Sequence, residues 1–141
     1  MVRRSVDVLA GIIIRNGKIL VRERPAKGIW GGLWELPSVI SSNGKNASRA
    51  LTNELEKTYG MKLEAGEKLP PMVHHLTHLK MTIRPHVFTV KSSAPLPLSS
   101  PMKWGRNEEG VRWITKSDLK RLSFPVPYQK LLNSAFSMPN F

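Results

Sequence analysis

A run of aliphatic and β-branched residues, 6–14, ends at an Asn16-Gly17 pair and leaves the start of this chain few folding options. Asn-Gly readily adopts the two positive φ angles of a two-residue β turn, so it predicts a tight hairpin. The second strand is expected at 19–24, because Pro25 cannot donate to a strand ladder. An antiparallel hairpin is therefore the first predicted element.

Downstream signals predict a helix and several further strands. Ala47, Leu51, Leu55 and Tyr59 are spaced by four, which predicts an amphipathic helix that Gly60 terminates. The other predicted elements are strands at 33–37, 73–76, 79–90 and 111–114, a short helix at 117–122, and a last helix that Pro127 begins and Phe136 ends. This order predicts an α+β fold, a mixed β-sheet flanked by helices, in one domain spanning 1–141.

Three irregular features are expected within this order. Pro85 indicates an edge position or a bulge, because it lacks a backbone N–H. A tight bend is predicted at Thr77-His78, between two strands. Residues 92–107 are rich in proline and serine without a sustained period, which predicts a long surface loop.

The charge balance favours an anionic partner. The chain has 22 Lys and Arg against 10 Asp and Glu, a formal net charge of +12, so nucleic acid leads the expected partners. The absence of cysteine excludes disulfides, a cysteine nucleophile and a thiolate-held cluster in these residues. No apolar run approaches the roughly 20 residues of a membrane span. We expect an intracellular protein with no membrane partner, cytoplasmic and nucleoid-associated if the source is bacterial.

The predicted helix and the segment before it resemble the Nudix signature. The resemblance lies in 36–39, Leu-Pro-Ser-Val, and in 53–61, Asn-Glu-Leu-Glu-Lys-Thr-Tyr-Gly-Met. In hydrolytic members a loop glutamate and a helical Arg-Glu-hydrophobic-x-Glu-Glu-x-Gly motif hold magnesium, which neutralises a diphosphate and activates water. The resemblance implies a Nudix-like fold.

Most of the family's acidic ligands have no counterpart in this sequence. When the motifs are aligned on Gly60, only Glu54 keeps its place. The loop glutamate, the arginine and the paired glutamates become, in that order, Lys45, Asn53, Lys57 and Thr58. A lysine one helical turn from a lone carboxylate repels a divalent cation. We therefore expect no metal site and no catalytic residue; a register shift that brings in Glu56 is the alternative.

Longer segments resemble the C-terminal domain of the MutY adenine DNA glycosylases. Residues 24–37, Arg-Pro-Ala-Lys-Gly-Ile-Trp-Gly-Gly-Leu-Trp-Glu-Leu-Pro, are similar to the Arg-Pro…Gly-Leu-Trp-Gly-Gly-Leu-Trp-Glu-Phe-Pro run of that domain. Residues 73–82, Val-His-His-Leu-Thr-His-Leu-Lys-Met-Thr, resemble its His-x-Phe-Ser-His segment, whose bend reads oxidised guanine. Arg112-Trp113 and 124–130 resemble its closing strand and helix, so the likeness covers nearly the whole chain.

This resemblance implies a DNA lesion recognition module of base excision repair. The parent enzymes are N-glycosyl hydrolases that excise adenine mispaired with 8-oxoguanine. Their N-terminal helical domain carries the catalytic residues and an iron–sulfur cluster. Since no such domain lies within 1–141, we expect a catalytically inert monomer without a cofactor of its own. Its expected partners are double-stranded DNA with an oxidised guanine and the N-terminal catalytic domain.

The expected DNA contacts centre on the predicted bend. Oxidation of guanine turns its N7 from a hydrogen-bond acceptor into a donor. The Thr77 hydroxyl and the His78 ring can each donate or accept, so they suit this altered purine edge. Leu76 stands where the family has Phe, so it offers apolar contact without stacking. The cations expected on phosphates are Arg24, Lys27 and Lys80, with Arg22 and Arg84 on the same surface.

Several alternatives stay open at this point. The chain could be a stand-alone Nudix pyrophosphohydrolase acting on a nucleoside diphosphate derivative, or a protein-interaction module that uses 94–101. The bend could be an ordinary hairpin tip, and the charged strand face merely solvated. Trp30 and Trp34 are expected to anchor the core and a loop rather than stack on bases. His74 and His75 point to opposite strand faces, which disfavours joint chelation of a metal.

Overall fold

A computed structural model describes residues 4–24, 31–41, 47–76, 79–91 and 111–138. Within these ranges eight strands form one sheet. The strands are β1 (Arg4–Arg15), β2 (Lys18–Glu23), β3 (Trp34–Glu35), β4 (Ser38–Ser41), β5 (Leu63–Lys68), β6 (Met72–Leu76), β7 (Leu79–Val90) and β8 (Val111–Ile114). The helices are α1 (Ala47–Tyr59), a short 3₁₀ helix (Lys116–Lys120) and α2 (Val126–Phe136). None of these helices is long and apolar enough to cross a membrane.

Strand β1 occupies the centre of the sheet. It pairs in parallel with β7 from Arg4 opposite Leu79 to Ile14 opposite Thr89. On its other side β1 pairs antiparallel with β2 at the hairpin end and with β4 towards its beginning. The path β3-β2-β1-β7-β5 is extended by β8 beside β2 and by β6 beside β7. Parallel and antiparallel neighbours coexist, so the mixed sheet of the predicted α+β class is confirmed.

Each face of the sheet carries its own core. The residues of the α1 face are Leu9, Ile13, Leu20, Leu51, Leu55, Tyr59, Met61, Leu63, Phe88 and Val111. The α2 face includes Ile12, Ile19, Val21, Ile83, Ile114, Tyr128, Leu131 and Leu132. Successive strand residues alternate between the faces. That alternation decides which polar side chains lie beside α1.

The structure confirms the predicted hairpin and both long helices. Asn16 and Gly17 have φ angles of 51° and 75°, as a two-residue turn between β1 and β2 requires. At the end of α1, Gly60 has a φ of 65° and its N–H donates to the carbonyl of Glu56 at 2.8 Å. Pro127 lies in the first turn of α2. The predicted loop at 92–107 lies outside the described residues.

Of the two alternatives expected for Pro85, the edge position is wrong, whereas the register between β5 and β7 does shift beside it, between Ala65 and Lys68. Pro85 is buried inside β7, opposite Ala10 of β1. On the other side of β7, β6 pairs up to Ile83 and β5 from His86 onwards. The carbonyl of Pro85 accepts from the Leu69 N–H at 3.1 Å, at this change of partner. A missing N–H costs little where the ladder is already interrupted.

The sequence analysis missed β4 and β5. Strand β5 reads Leu-Glu-Ala-Gly-Glu-Lys and is exposed after its first residue, so it carries no alternating apolar pattern. Strand β4 is four residues long and directly follows Pro37. Both strands depend on pairing with a long neighbour, and that pairing leaves no local sequence signal.

Gly11 allows α1 to approach the sheet closely, which predicts how Gly11→Ala behaves. A Cβ at Gly11 would lie 2.5 Å from Cδ1 of Leu55. We expect Gly11→Ala to destabilise the fold by about 1–3 kcal/mol, the usual cost of overpacking. Leu55→Ala alone should cost about 2–5 kcal/mol. Urea denaturation of both variants and of the double variant measures these costs.

In the double variant the new methyl occupies space that Leu55 has vacated. Gly11→Ala should therefore cost much less in the Leu55→Ala background than in the wild-type chain. Equal costs in the two backgrounds would contradict the close approach of α1.

Candidate nucleic-acid interface

The hairpin formed by β6 and β7 brackets the predicted bend. Leu76 and Leu79 are opposite each other in the antiparallel ladder, so the two residues between them connect the strands. Those residues, Thr77 and His78, lie outside the described residues, as does Lys27. Leu76 itself is half-buried. The structure thus describes the two strands that flank Thr77 and His78, and the bend itself stays a prediction.

A basic strip, which we define as His75, Lys80 and Arg84, follows this hairpin on the α1 face of the sheet. Lys80 is opposite His75, and Arg84 shares a face with Lys80 because the two are four residues apart in β7. All three side chains are exposed. Helix α1 covers only the far part of this face, through Phe88 and Leu63. The strip is therefore an open, cationic part of the sheet next to the bend.

Arg84 has an acidic neighbour that leaves it accessible. Its Nη2 lies 3.8 Å from Oδ1 of Asp7, and the two side chains are 49% and 44% exposed. An exposed pair at this separation contributes about 0–1 kcal/mol. An incoming phosphate can therefore compete with Asp7 for the guanidinium.

Arg22 and Arg24 form an ion-pair cluster with the buried Glu35. Arg22 Nε donates to Oε2 of Glu35 at 2.8 Å, and Arg24 Nη1 donates to Oε1 at 2.7 Å. Glu35 is only 3% exposed. A second nitrogen of Arg22, Nη2, donates to the Ser38 carbonyl at 3.0 Å. Both guanidiniums are thus paired with Glu35 while their side chains stay 31% and 28% exposed, and the DNA contact expected of Arg24 stays a prediction.

Two tyrosines from opposite faces of the sheet surround this cluster. Arg22 Nη1 lies 3.5 Å from the Tyr59 hydroxyl, and burial raises the pKa of Tyr59 although Arg22 opposes the shift. Burial and the charge of Glu35 raise the pKa of Tyr128 to about 12. Burial works against the charge of Arg22, but Tyr59 and Glu35 outweigh it, so the pKa of Arg22 is raised. The cluster therefore stays as a fixed ion pair beside neutral phenols.

The carboxylates of α1 are already engaged within the protein. The Thr58 hydroxyl donates to Oε2 of Glu54 at 3.0 Å. Glu56 reaches beyond the helix, where its Oε2 accepts from the Leu63 N–H at 2.8 Å. Lys57, which directly follows Glu56, is exposed. A magnesium ion wants several oxygens at fixed geometry, and this helix surface does not fit that requirement.

Metal-binding clusters can be judged only for the described part of the chain. There, no group of three or more His, Asp or Glu side chains comes together as a metal site. A register shift that brings in Glu56 would turn outward the apolar stripe of Leu51, Leu55 and Tyr59, which is buried as predicted. His86, another candidate ligand, is buried in β7, and burial, followed by the charge of Lys68, lowers its pKa.

The sequence did not reveal the partners of Glu35. Trp34 is in the core as expected, and Arg112 lies 6.0 Å from its ring centroid. Glu35, its neighbour, is buried as well, and the N–H of Trp34 donates to the Ser123 carbonyl at 2.8 Å. One signal was available in the sequence. Glu35 is a single glutamate in an otherwise apolar predicted strand, and Arg22 and Arg24 share one face of the strand before it.

The sequence of this chain is similar to a known domain family and to proteins of known activity. The model of the NUDIX domain family matches residues 9–134. The human adenine DNA glycosylase is 27% identical over 118 residues, which are 82% of this chain and 20% of that protein. The chain thus spans about one fifth of that relative. The CTP pyrophosphohydrolase of Escherichia coli is 36% identical over 64 residues, 45% of this chain and 47% of that enzyme.

Solved structures agree with the fold. The C-terminal domain of mouse MUTYH, solved in complex with human PCNA, superposes with a TM-score of 0.66 at 21% sequence identity. The match covers 94% of this chain and 88% of that one. At this identity the likeness establishes the fold alone. The resemblance to adenine DNA glycosylases seen in the sequence is confirmed by the sequence relatives.

Glu35→Gln tests whether the buried ion pairs hold the region around β3. The substitution leaves two half-buried arginines without their counter-charge, so we expect a loss of about 3 kcal/mol in the free energy of unfolding. Glu54→Gln is the matched control, because it makes the same chemical change on the surface and should cost less than about 0.5 kcal/mol. Urea denaturation measures both, and equal small losses would contradict the structural role of Glu35.

Proposed function

The chain belongs to the NUDIX domain family, and from this premise we propose that it recognises damaged DNA and hydrolyses no nucleotide. In this proposal it serves an adenine DNA glycosylase that acts on adenine opposite 8-oxoguanine. It contacts the strand that carries the oxidised guanine. The catalytic residues and the iron–sulfur cluster of that enzyme would reside in another domain.

The observation that carries the proposal is the surface of α1. Its remaining acidic groups are held by Thr58 and by the Leu63 N–H, and Lys57 adds a positive charge beside them. A diphosphate-cleaving enzyme of this family would need that surface to hold magnesium. Similarity to the human adenine DNA glycosylase over 82% of the chain supports recognition instead of hydrolysis.

The basic strip supplies a contact for the DNA backbone. Lys80 and Arg84 are exposed along β7, and each can neutralise one phosphate. Such contacts fix the position of a protein on the duplex without reading sequence. The basic strip lies next to the predicted bend. DNA whose phosphates bind to the strip would therefore present a groove to Thr77 and His78.

Recognition of the oxidised base is assigned to the bend. A hydroxyl and an imidazole distinguish a purine N7 that donates a hydrogen bond from one that accepts it. Leu76, beside the bend, offers an apolar contact to a neighbouring base. Preference for the oxidised pair would then favour extrusion of the opposite adenine by the glycosylase domain.

A second candidate function is a stand-alone pyrophosphohydrolase. The identity of 36% to the CTP pyrophosphohydrolase of Escherichia coli favours it, although the match covers 45% of this chain. That activity would require magnesium-dependent cleavage of a nucleoside triphosphate, with Glu54 as an essential ligand. The engaged oxygen of Glu54 argues against it.

The double variant Thr77→Ala/His78→Ala tests the proposed recognition. Fluorescence anisotropy measures binding of the chain to matched duplexes that contain an A:8-oxoguanine or an A:G pair. We expect the preference for the oxidised duplex to fall about tenfold, since a good base contact discriminates by about 1–3 kcal/mol. General affinity should change little.

Lys80→Ala and Lys130→Ala form a matched pair of charge controls. Lys80→Ala should weaken both duplexes alike and lower the slope of log affinity against log salt by about 1. Lys130 lies on α2, away from the basic strip, and its removal should leave that slope nearly unchanged. Equal loss on both duplexes in the Thr77→Ala/His78→Ala variant would defeat the assignment of the bend.

A further inference from the structure

A cavity of about 200 Å³ lies at the tip of the hairpin formed by β1 and β2. Arg15, Asn16 and Lys18 line it from the hairpin, and Trp113 lines it from β8. Asn16 and Gly17 both have positive φ angles, so the turn between the two cations has a defined conformation. Among the described residues that line this cavity there is none of the basic strip.

Strand alternation brings three of these side chains to one face of the sheet. Arg15 is opposite Lys18 in the ladder of the hairpin, and Trp113 is opposite Leu20. Lys18 and Leu20 are two residues apart in β2 and therefore share a face. Trp113 packs against the core of that face and is half-buried, so its indole is held in place.

The two cations at the cavity are not neutralised within the described ranges. The ion pairs found there join Arg22 and Arg24 to Glu35, and Arg84 to Asp7. Arg15 and Lys18 are both exposed and directly opposite each other. Like charges in opposite positions destabilise a strand pair. An anion between them would remove that repulsion.

The cavity combines this anion site with an aromatic wall. Arginine forms paired hydrogen bonds with phosphate oxygens, and lysine adds a point charge. An indole offers a stacking surface to any base, because every base has a π-face. The cavity volume is below the roughly 300–1,000 Å³ of ordinary small-molecule pockets. This combination suits one nucleotide unit, either free or within a single strand.

We propose that this cavity binds one unpaired nucleotide, with its phosphate between Arg15 and Lys18 and its base against Trp113. Bases inside a duplex are stacked on their neighbours and cannot reach an indole, so the ligand is a single strand or a free nucleotide. Strand β1 separates the cavity from the bend, because Arg4 pairs beside Leu79 and Ile14 pairs beside Thr89. Ten residue steps along a strand cover roughly 33 Å. The site is therefore separate from the proposed lesion contact and does not depend on it.

Anisotropy of a short fluorescein-labelled oligo-dT tests the site in the 141-residue chain. We expect Trp113→Ala and Lys18→Glu each to weaken binding by about tenfold, and Trp113→Phe to retain most of it, since stacking on one aromatic contributes on this scale. Lys130→Glu reverses the same charge on α2, and should change the affinity much less than Lys18→Glu. Thermal unfolding of each variant identifies any loss of binding that is caused by misfolding. Lys18→Glu alters only an exposed side chain, so it keeps the test valid if Trp113→Ala unfolds.

Competition with thymidine 5′-monophosphate separates the two sources of the ligand. Displacement of oligo-dT by the monophosphate assigns the site to free nucleotides, and its failure to displace assigns the site to a strand. Oligo-dT binding that is absent, or that Lys18→Glu weakens no more than Lys130→Glu does, would overturn the proposal. Discrimination between oxidised and normal duplexes is measured separately, so loss of one site does not imply loss of the other.

Discussion

The carboxylate of Glu35, almost entirely withdrawn from water, accepts hydrogen bonds from Arg22 and Arg24 of the neighbouring strand, and this interaction joins β2 to β3. The same Arg22 reaches the Ser38 carbonyl at the start of β4 and the Tyr59 hydroxyl at the end of α1. A buried carboxylate without such partners would be strongly destabilising. The contact of Arg22 with Tyr59 therefore links the end of α1 to two ion pairs that occupy two of the chain's cations.

The acidic side chains near α1 perform structural tasks throughout. Glu35 neutralises two arginines, Glu56 accepts from the backbone N–H that begins β5, and Glu54 accepts from Thr58. Cations, in contrast, are left exposed at the basic strip and at the hairpin tip. A surface organised in this way attracts phosphates without providing the oxygen cage for a divalent ion. This is the electrostatic basis of the recognition that we propose in place of hydrolysis.

Local chemistry was strong enough to predict the hairpin at Asn16-Gly17, the helix that ends at Gly60 and the buried stripe of Leu51 and Leu55. Elements that depend on distant partners could not be predicted in the same way. Strand β5 has no alternation of apolar residues. Pro85 is accommodated because the pairing partner of β7 changes from β6 to β5 beside it. The charge of Arg24 predicted a phosphate contact. Its ion pair with Glu35 could not be predicted, because it depends on the burial of Glu35 and on the position of β3.

Titration with Mn²⁺, followed by electron paramagnetic resonance, tests most directly whether α1 still holds a divalent cation. The wild-type chain and Glu54→Gln should take up the ion weakly and alike, because one carboxylate beside Lys57 provides too few ligands. Tight uptake of one ion per wild-type chain, lost in Glu54→Gln and accompanied by pyrophosphate release from a nucleoside triphosphate, would contradict recognition without hydrolysis.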